Sequence, residues 1–169
     1  MTKIIIDEQF KAFLPALDAK TFSDLERDII NHGVRDAIVL WDGILIDGYN
    51  RHAICVKHDL PFRTVSMEFS SRDEVLIWII NNQIIRRNLT PLQLSYFRGV
   101  HYRAEKKIIT NVDGRNQYKE VAAQNGHQPK MQSTATKLAN HYDVSPNTIR
   151  RNSQLSESID AIGEISPEA

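Results

Sequence analysis

The sequence predicts an α+β protein, in which a small mixed-sheet domain is followed by an all-α domain. Two β-prone segments, residues 37–41 and 44–46, flank Asp42-Gly43. Asp-Gly between such segments is a strong hairpin signal, because both central residues of the tight turn need positive φ. After Thr90-Pro91 the chain shows helical periodicity, with threonine as the expected cap and proline at the first helical position.

Further elements complete the predicted N-terminal domain, which we place at residues 1–88. A helix over Thr21–His32 has Ser23 as its expected cap, and Gly33 follows where a left-handed residue is favoured. Alternation over Phe62–Phe69 indicates another strand, and a helix over residues 72–82 follows with Ser71 as its cap.

The second domain is expected at residues 89–165. Within it, residues 110–132 are rich in Asn, Gln and Gly and hold few large apolar side chains. This composition predicts a mobile, largely unstructured connection that leaves room for a short helix at Tyr118–Ala123.

The charges are unevenly distributed, although the formal net charge is zero. Residues 1–85 hold nine basic and thirteen acidic side chains (net −4), residues 86–151 hold twelve and four (+8), and residues 152–169 hold four acids and no base. The basic middle indicates either a polyanionic partner or a solvated charged face. No apolar stretch is long enough for a signal peptide or a membrane span, so we expect a cytoplasmic protein that does not contact a membrane.

Residues 134–154 have the pattern of a helix-turn-helix. The first helix, residues 135–141, places Leu138 and the small Ala139 inward, and Val144 fills the space at the turn. Ser145 is the expected cap of a second helix that begins at Pro146 and turns Ile149 to the core.

The outer face of this unit carries donor-rich side chains that suit base edges and phosphates. We expect the second helix, Pro146–Ser153, to enter the major groove of double-stranded DNA. A helical hairpin that only packs within the protein is the alternative. The predicted DNA-contacting residues are Thr134, Lys137, Ser145, Asn147, Thr148, Arg150 and Arg151.

A glycine turn after the second strand predicts a phosphate site. Gly48 lets the backbone approach an anion, and the helix that follows it offers free N–H groups. Arg51 and Arg86 can supply forked donors to phosphate oxygens. The alternative is a surface turn with an ordinary salt bridge.

Three segments in register resemble the sequence boxes of ParB-type plasmid and chromosome partition proteins. Gly48–Ala53 resembles their glycine-x-x-arginine box, Asn82–Pro91 the following box, and Gly33–Ile38 a degenerate first box. With the trailing helix-turn-helix, the resemblance covers about residues 10–162, and it implies a ParB/sulfiredoxin-like fold for the N-terminal domain.

The resemblance also implies a function. CTP would be bound with magnesium held through the nucleotide rather than by a separate metal site. A clamp-like homodimer would load at a centromere-like DNA site, in association with nucleoid or plasmid, and work with a ParA-type ATPase. The implied nucleotide-binding residues are Gly48, Tyr49, Asn50, Arg51, His52, Asn82, Gln83, Arg86 and Arg87.

The chain departs from the family pattern in places. Asn82-Gln83 replaces the usual Glu-Asn, which removes a carboxylate that could bind magnesium or orient a water. We therefore expect CTP hydrolysis to be weak or absent. Asp36-Ala37 replaces the usual Gln-Pro near the base pocket. Family members usually continue into a C-terminal dimerisation domain, so we expect the chain to be a shortened form.

Other functions share parts of these patterns. A ligand-responsive transcription regulator would use the same DNA contacts without spreading along DNA. A ParB-like nuclease or nucleotide-dependent kinase would want several acids at the ligand turn, where only Asp47 stands beside Gly48. Sulfiredoxin chemistry needs a cysteine in that turn, whereas Cys55, the single cysteine, is interpreted as a core residue. The six histidines show no paired metal-ligand spacing, so no zinc is expected.

Overall fold

The computed structural model describes residues 4–14, 16–86, 89–113 and 132–165. The elements within these ranges, in chain order, are α1 (Glu8–Ala12), α2 (Ala19–His32), β1 (Ile38–Trp41), β2 (Ile44–Asp47), α3 (Tyr49–Lys57), β3 (Thr64–Ser66), α4 (Arg72–Arg86), α5 (Pro91–Asp113), α6 (Thr134–Tyr142) and α7 (Pro146–Ile165). The predicted α+β class, with a small mixed sheet, is confirmed.

Two compact units make up the chain, Met1–Ile79 and Ile80–Ala169. The division falls inside α4, whereas the sequence places a domain boundary after this helix, at 88/89.

The sheet of the first unit has the strand order β2-β1-β3. β1 and β2 form the predicted antiparallel hairpin, and Asp42 and Gly43 both have positive φ, 47° and 78°. β3 pairs with β1 in parallel. The strand predicted over Phe62–Phe69 is limited to Thr64–Ser66, because its pairing partner is a strand of only four residues.

One of the two helix caps predicted in the first unit is confirmed. Asp18, however, caps α2 by accepting the amide of Thr21 at 2.9 Å. The prediction of Ser23 as the cap is wrong, because the helix begins at Ala19 and Ser23 lies inside it. Ser71 caps α4 as expected, accepting the amide of Glu74 at 3.2 Å. α4 then runs past residue 82 to Arg86, since no glycine or proline interrupts it.

Two apolar clusters lie in the core of the first unit. One joins the sheet residues Ile38, Leu40 and Leu45, and the other joins Ile29 of α2 to Ile54 and Cys55 of α3. Cys55 is therefore a core residue as predicted, and burial raises the pKa of its thiol.

In the second unit, α5 begins with a reciprocal cap. The amide of Gln93 donates to the Thr90 hydroxyl at 3.2 Å, and the Gln93 side chain accepts the amide of Thr90 at 3.0 Å. α5 continues to Asp113, so the first residues of the predicted unstructured connection, 110–113, are helical. The rest of that prediction, including the short helix at Tyr118–Ala123, falls on residues 114–131, outside the described residues.

α5 and α7 cross at Gly99, which packs directly against the backbone of Asn152. A β-carbon at position 99 would lie 2.1 Å from the Asn152 carbonyl oxygen. Beyond this crossing, Asp160 of α7 accepts hydrogen bonds from Tyr96 at 2.7 Å and Arg103 at 2.6 Å. These contacts hold the second half of α7, which extends well past residue 154, the predicted end of the helix-turn-helix. None of the described helices has the length and apolar character needed to cross a membrane.

Candidate functional site

The strongest candidate surface is the helical hairpin of α6 and α7. Ser133 caps α6 by accepting the amide of Thr136 at 3.2 Å. Asp143 ends α6 in the left-handed region, at φ 52° and ψ 51°. Ser145 then caps α7 by accepting the amide of Thr148 at 3.1 Å, as the sequence predicts. Two local caps and one left-handed residue therefore fix the geometry of the turn.

A small apolar core holds the two helices together. It consists of Ala135, Leu138 and Ala139 of α6 and Ile149 of α7, with Val144 of the turn packed against them. Ile149 is fully buried. Because Ile149 points inward, its neighbours on α7 are directed to the outer face of the helix.

The outer face of α7 presents Asn147, Arg150 and Arg151, all exposed. Arg150 donates from Nη1 to the Asn147 side-chain oxygen at 2.9 Å. The hydroxyls of Ser145 and Thr148 lie 2.9 Å apart and share a hydrogen bond within the cap. Both are therefore used to begin the helix, and a role for Ser145 or Thr148 in DNA contact remains a prediction.

Two further predicted DNA-contacting residues lie on α6. Thr134, its first residue, is partly buried. Lys137 is ion-paired with Glu105 of α5, its ammonium lying 2.8 and 3.0 Å from the two carboxylate oxygens. The sequence gives no signal for this pair, because its members are 32 residues apart. Lys137 would have to leave Glu105 in order to bind a phosphate.

A buried histidine connects α5 to the end of α6. His101 is 3% exposed, and its Nδ1 shares a hydrogen bond with the hydroxyl of Tyr142. Burial lowers the pKa of His101 to about 4, although the nearby Glu105 acts in the opposite direction. The imidazole is therefore neutral at pH 7. Burial also raises the pKa of Tyr142, which keeps its hydroxyl protonated.

The glycine turn of the first unit has the backbone that the sequence predicts. Gly48 precedes α3 with φ 97° and ψ 23°, and no side chain caps the helix. The guanidinium of Arg51 lies against this glycine, since a β-carbon at position 48 would be 3.0 Å from its Nη2. That Nη2 donates at 3.3 Å to the Ala37 carbonyl and at 3.3 Å to Asp47. Arg51 thus turns inward, and its buried Nε has no hydrogen-bond partner.

The other predicted ligand residues of the turn have different surroundings. Tyr49 packs on the sheet cluster and donates its hydroxyl to the Leu45 carbonyl at 2.5 Å, and burial raises its pKa. If Tyr49 contacts a ligand, its backbone amide would make the contact, because the side-chain hydroxyl is already hydrogen-bonded. Asn50 is partly buried. His52 packs edge-on against Phe62, and burial lowers its pKa.

Asn82 and Gln83 lie on α4, and Gln83 is 3% exposed. Among the described residues, the buried side-chain nitrogen of Asn82 and the buried side-chain oxygen of Gln83 have no hydrogen-bond partner. The side chain of Arg86 and all of Arg87 lie outside the described residues. The predicted joint site of Gly48 and Arg86 therefore stays a prediction.

The Gly48 turn fits an anion better than a metal ion. The unpaired Nε of Arg51 and the uncapped start of α3 are donors that a phosphate could satisfy. Across the described ranges, no group of three or more His, Cys, Asp or Glu side chains is placed to hold a metal ion.

Two solved structures of pNOB8-like ParB N-domains resemble this fold. The first superposes with a TM-score of 0.63 at 17% sequence identity, covering 98% of this chain and 70% of that one. The second gives a TM-score of 0.55 at 19% identity, covering 90% of this chain and 61% of that one. No protein-family profile matches the chain, and no curated protein matches it in sequence. The chain thus has a ParB N-domain fold, which confirms the fold resemblance drawn from the sequence boxes.

Proposed function

We propose that this protein is a sequence-specific DNA-binding protein of the ParB type, which binds a centromere-like site in DNA partition. One observation carries the proposal. The α6–α7 hairpin is capped at both helix starts, closed by a core around the buried Ile149, and presents Asn147, Arg150 and Arg151 outward. These side chains have the donor chemistry that DNA-reading helices use.

The charge distribution supports the proposal. The net charge of residues 86–151 is +8, whereas residues 1–85 carry −4. A basic region favours a polyanionic partner and speeds encounter with it. The ParB N-domain fold supports the partition role, and we include a homodimer and a ParA-type ATPase as the partners that such a role requires.

We further propose that a phosphate-bearing ligand, CTP in the first instance, regulates this binding through the Gly48 turn. Gly48 supplies a backbone without a side chain, and Arg51 supplies a guanidinium with an unpaired buried N–H. Asn82 has an amide side chain at the position where ParB-type proteins usually have a glutamate, whose carboxylate could bind magnesium. Any hydrolysis of CTP should therefore be slow.

The DNA proposal is tested by selecting a binding site from random duplex DNA with the full chain. Asn147→Ala should lower affinity for the selected site by about 1–3 kcal/mol, and affinity for random DNA much less. Arg151→Ala should weaken binding to both and flatten the salt dependence by about one unit of slope. Gln154→Ala, an exposed change further along α7, is the matched control.

The proposal is wrong if neither Asn147→Ala nor Arg151→Ala changes affinity for selected or random DNA. In that case the hairpin serves only to pack the second unit. Circular dichroism of each variant excludes unfolding as the cause of a loss.

The ligand proposal is tested by calorimetry with CTP, ATP and GTP. Arg51→Ala should weaken triphosphate binding by about 1.5–3 kcal/mol, as expected for hydrogen bonds to a charged group. Arg27→Ala, which removes an exposed arginine from α2, is the control for charge. The absence of binding by the unchanged protein at millimolar nucleotide would exclude nucleotide regulation and leave the DNA proposal standing.

A further inference from the structure

We propose that α7 reads guanine rather than adenine at its central base contact, because Asn147 and Arg150 act together as a surface of hydrogen-bond donors. This inference rests on the proposed function, since it concerns the face of α7 that would enter the major groove. It names the base that this face selects.

Asn147 and Arg150 form a hydrogen-bonded pair on the surface of α7. Arg150 Nη1 donates to the Asn147 side-chain oxygen at 2.9 Å, across three residues of the helix. Both residues are exposed, and Asn147 lies on the side of α7 opposite the buried Ile149. The neighbouring hydroxyls of Ser145 and Thr148 are occupied by the cap. Asn147 and Arg150 are therefore the side chains best placed to contact base edges from the first turns of α7.

The hydrogen bond from Arg150 limits how the Asn147 amide can bind a base. An asparagine amide normally pairs with adenine through both of its edges, because its oxygen accepts from N6 and its NH₂ donates to N7. Here the oxygen of Asn147 already accepts one hydrogen bond from a guanidinium, so only one of its two lone pairs remains, and it lies beside a positive charge. The positive charge of Arg150 repels the amino group of adenine, which would have to approach the same oxygen. Pairing of Asn147 with adenine is therefore disfavoured as long as Arg150 stays hydrogen-bonded to Asn147.

Guanine matches the donors that remain. Its major-groove edge presents two neighbouring acceptors, N7 and O6, and no donor. The Asn147 NH₂ group and the further N–H groups of Arg150 supply donors only. Cytosine presents a donor, and thymine presents a single acceptor beside a methyl group, so both match these donors less well.

The test starts from the duplex that the full chain selects from random DNA. Comparing sites selected by the unchanged protein and by Asn147→Ala identifies the base pair at which preference depends on Asn147. We expect guanine there. Replacing that guanine by 7-deazaguanine removes the N7 acceptor and keeps Watson–Crick pairing. The substitution should weaken binding about 10- to 100-fold, the range for loss of a good contact to the base edge.

The sharpest variant is Arg150→Ala, which releases the oxygen of Asn147. With both amide edges available, the preference at the same base pair should shift from guanine towards adenine. Gln154→Ala should leave the selected base unchanged. Arg151→Ala should reduce the affinity for all sequences alike and should also leave the selected base unchanged.

Each outcome decides the matter. Adenine selected by the unchanged protein, a 7-deazaguanine duplex that binds as tightly as the original, or a guanine preference that survives Arg150→Ala would each overturn the guanine inference. The DNA-binding proposal would remain valid in all three cases. A selection that returns no consensus sequence would overturn both.

Discussion

Arginine is used in opposite ways in the two units of this protein. In the Gly48 turn, Arg51 folds inward against the glycine and donates to the Ala37 carbonyl and to Asp47. On α7, Arg150 and Arg151 are exposed. Among the described residues, Arg150 is hydrogen-bonded to its helical neighbour Asn147, by a surface contact of the kind worth a few tenths of a kcal/mol.

The inward-folded Arg51 and the exposed arginines of α7 differ in how many of their N–H groups already bond other groups of the protein. If α7 binds DNA as we propose, its exposed side chains need little rearrangement, because the core behind them holds the helix. Arg51 is partly buried and its Nη2 already pairs with Asp47, so a ligand at the Gly48 turn finds only part of the guanidinium unpaired. The hairpin is therefore the better-prepared binding surface of the two.

The largest expected effect tests whether the hairpin core supports the exposed face. Ile149→Asp places a carboxylate at a fully buried position and should destabilise the second unit by about 4 kcal/mol or more. Gln154→Asp introduces the same group at an exposed position of the same helix and should cost little. Urea unfolding followed by circular dichroism measures both. Equal losses would show that this core does not hold the hairpin.

The helix crossing behind the hairpin provides the next test. Gly99→Ala forces a β-carbon towards the Asn152 backbone, where it would lie 2.1 Å from the carbonyl oxygen. We expect a loss of about 2–3 kcal/mol, as for overpacking that displaces backbone. Gly163→Ala, with nothing within 4 Å of the new carbon, should instead stabilise α7 by about 0.5–1 kcal/mol. Thermal melting curves that show the same change for both variants would contradict the close crossing.

The buried histidine predicts how the stability of the second unit depends on pH. Burial lowers the pKa of His101 from 6.5 to about 4, against the opposing effect of Glu105 and aided by His141 and Lys137. The unfolded chain therefore binds a proton below about pH 6.5 that the folded chain takes up only near pH 4. The free energy of unfolding should therefore decrease as the pH falls from above 6.5 towards 4. At pH 5 the loss should be about 2 kcal/mol.

Urea unfolding at pH 7.5 and pH 5 checks this prediction. His101→Gln should reduce the loss, because glutamine does not titrate, whereas His32→Gln changes an exposed histidine and should leave the loss in place. A pH dependence that is unaffected by His101→Gln would assign the effect to other groups.

The smallest expected effect concerns the occupied arginine of the first unit. Gly48→Ala and Gly43→Ala both place alanine at positive φ, but only the former meets Arg51 and Ile38. The difference between the two losses should therefore be about 1 kcal/mol, and it isolates the crowding from the backbone strain. If the two variants lose equal free energy of unfolding, the Arg51 side chain can move away from position 48 without destabilising the first unit.

Short-range chemistry determined the features that the sequence alone reveals. The Asp42-Gly43 hairpin, the caps at Ser71, Thr90 and Ser145, and the turn at Gly48 each depend on residues within a few positions of one another. A turn needs positive φ, and a helix start needs an acceptor, whatever the rest of the fold does. The inward position of Ile149 follows from helical periodicity for the same reason.

Only the tertiary structure decided which groups these side chains meet. Lys137 pairs with Glu105 on another helix, and Arg51 reaches the Ala37 carbonyl at the start of the hairpin. The extension of α7 to residue 165 depends on Asp160 finding Tyr96 and Arg103 on α5. Such contacts join residues far apart in the sequence, so no local pattern announces them. Their geometry follows from how the helices and strands pack.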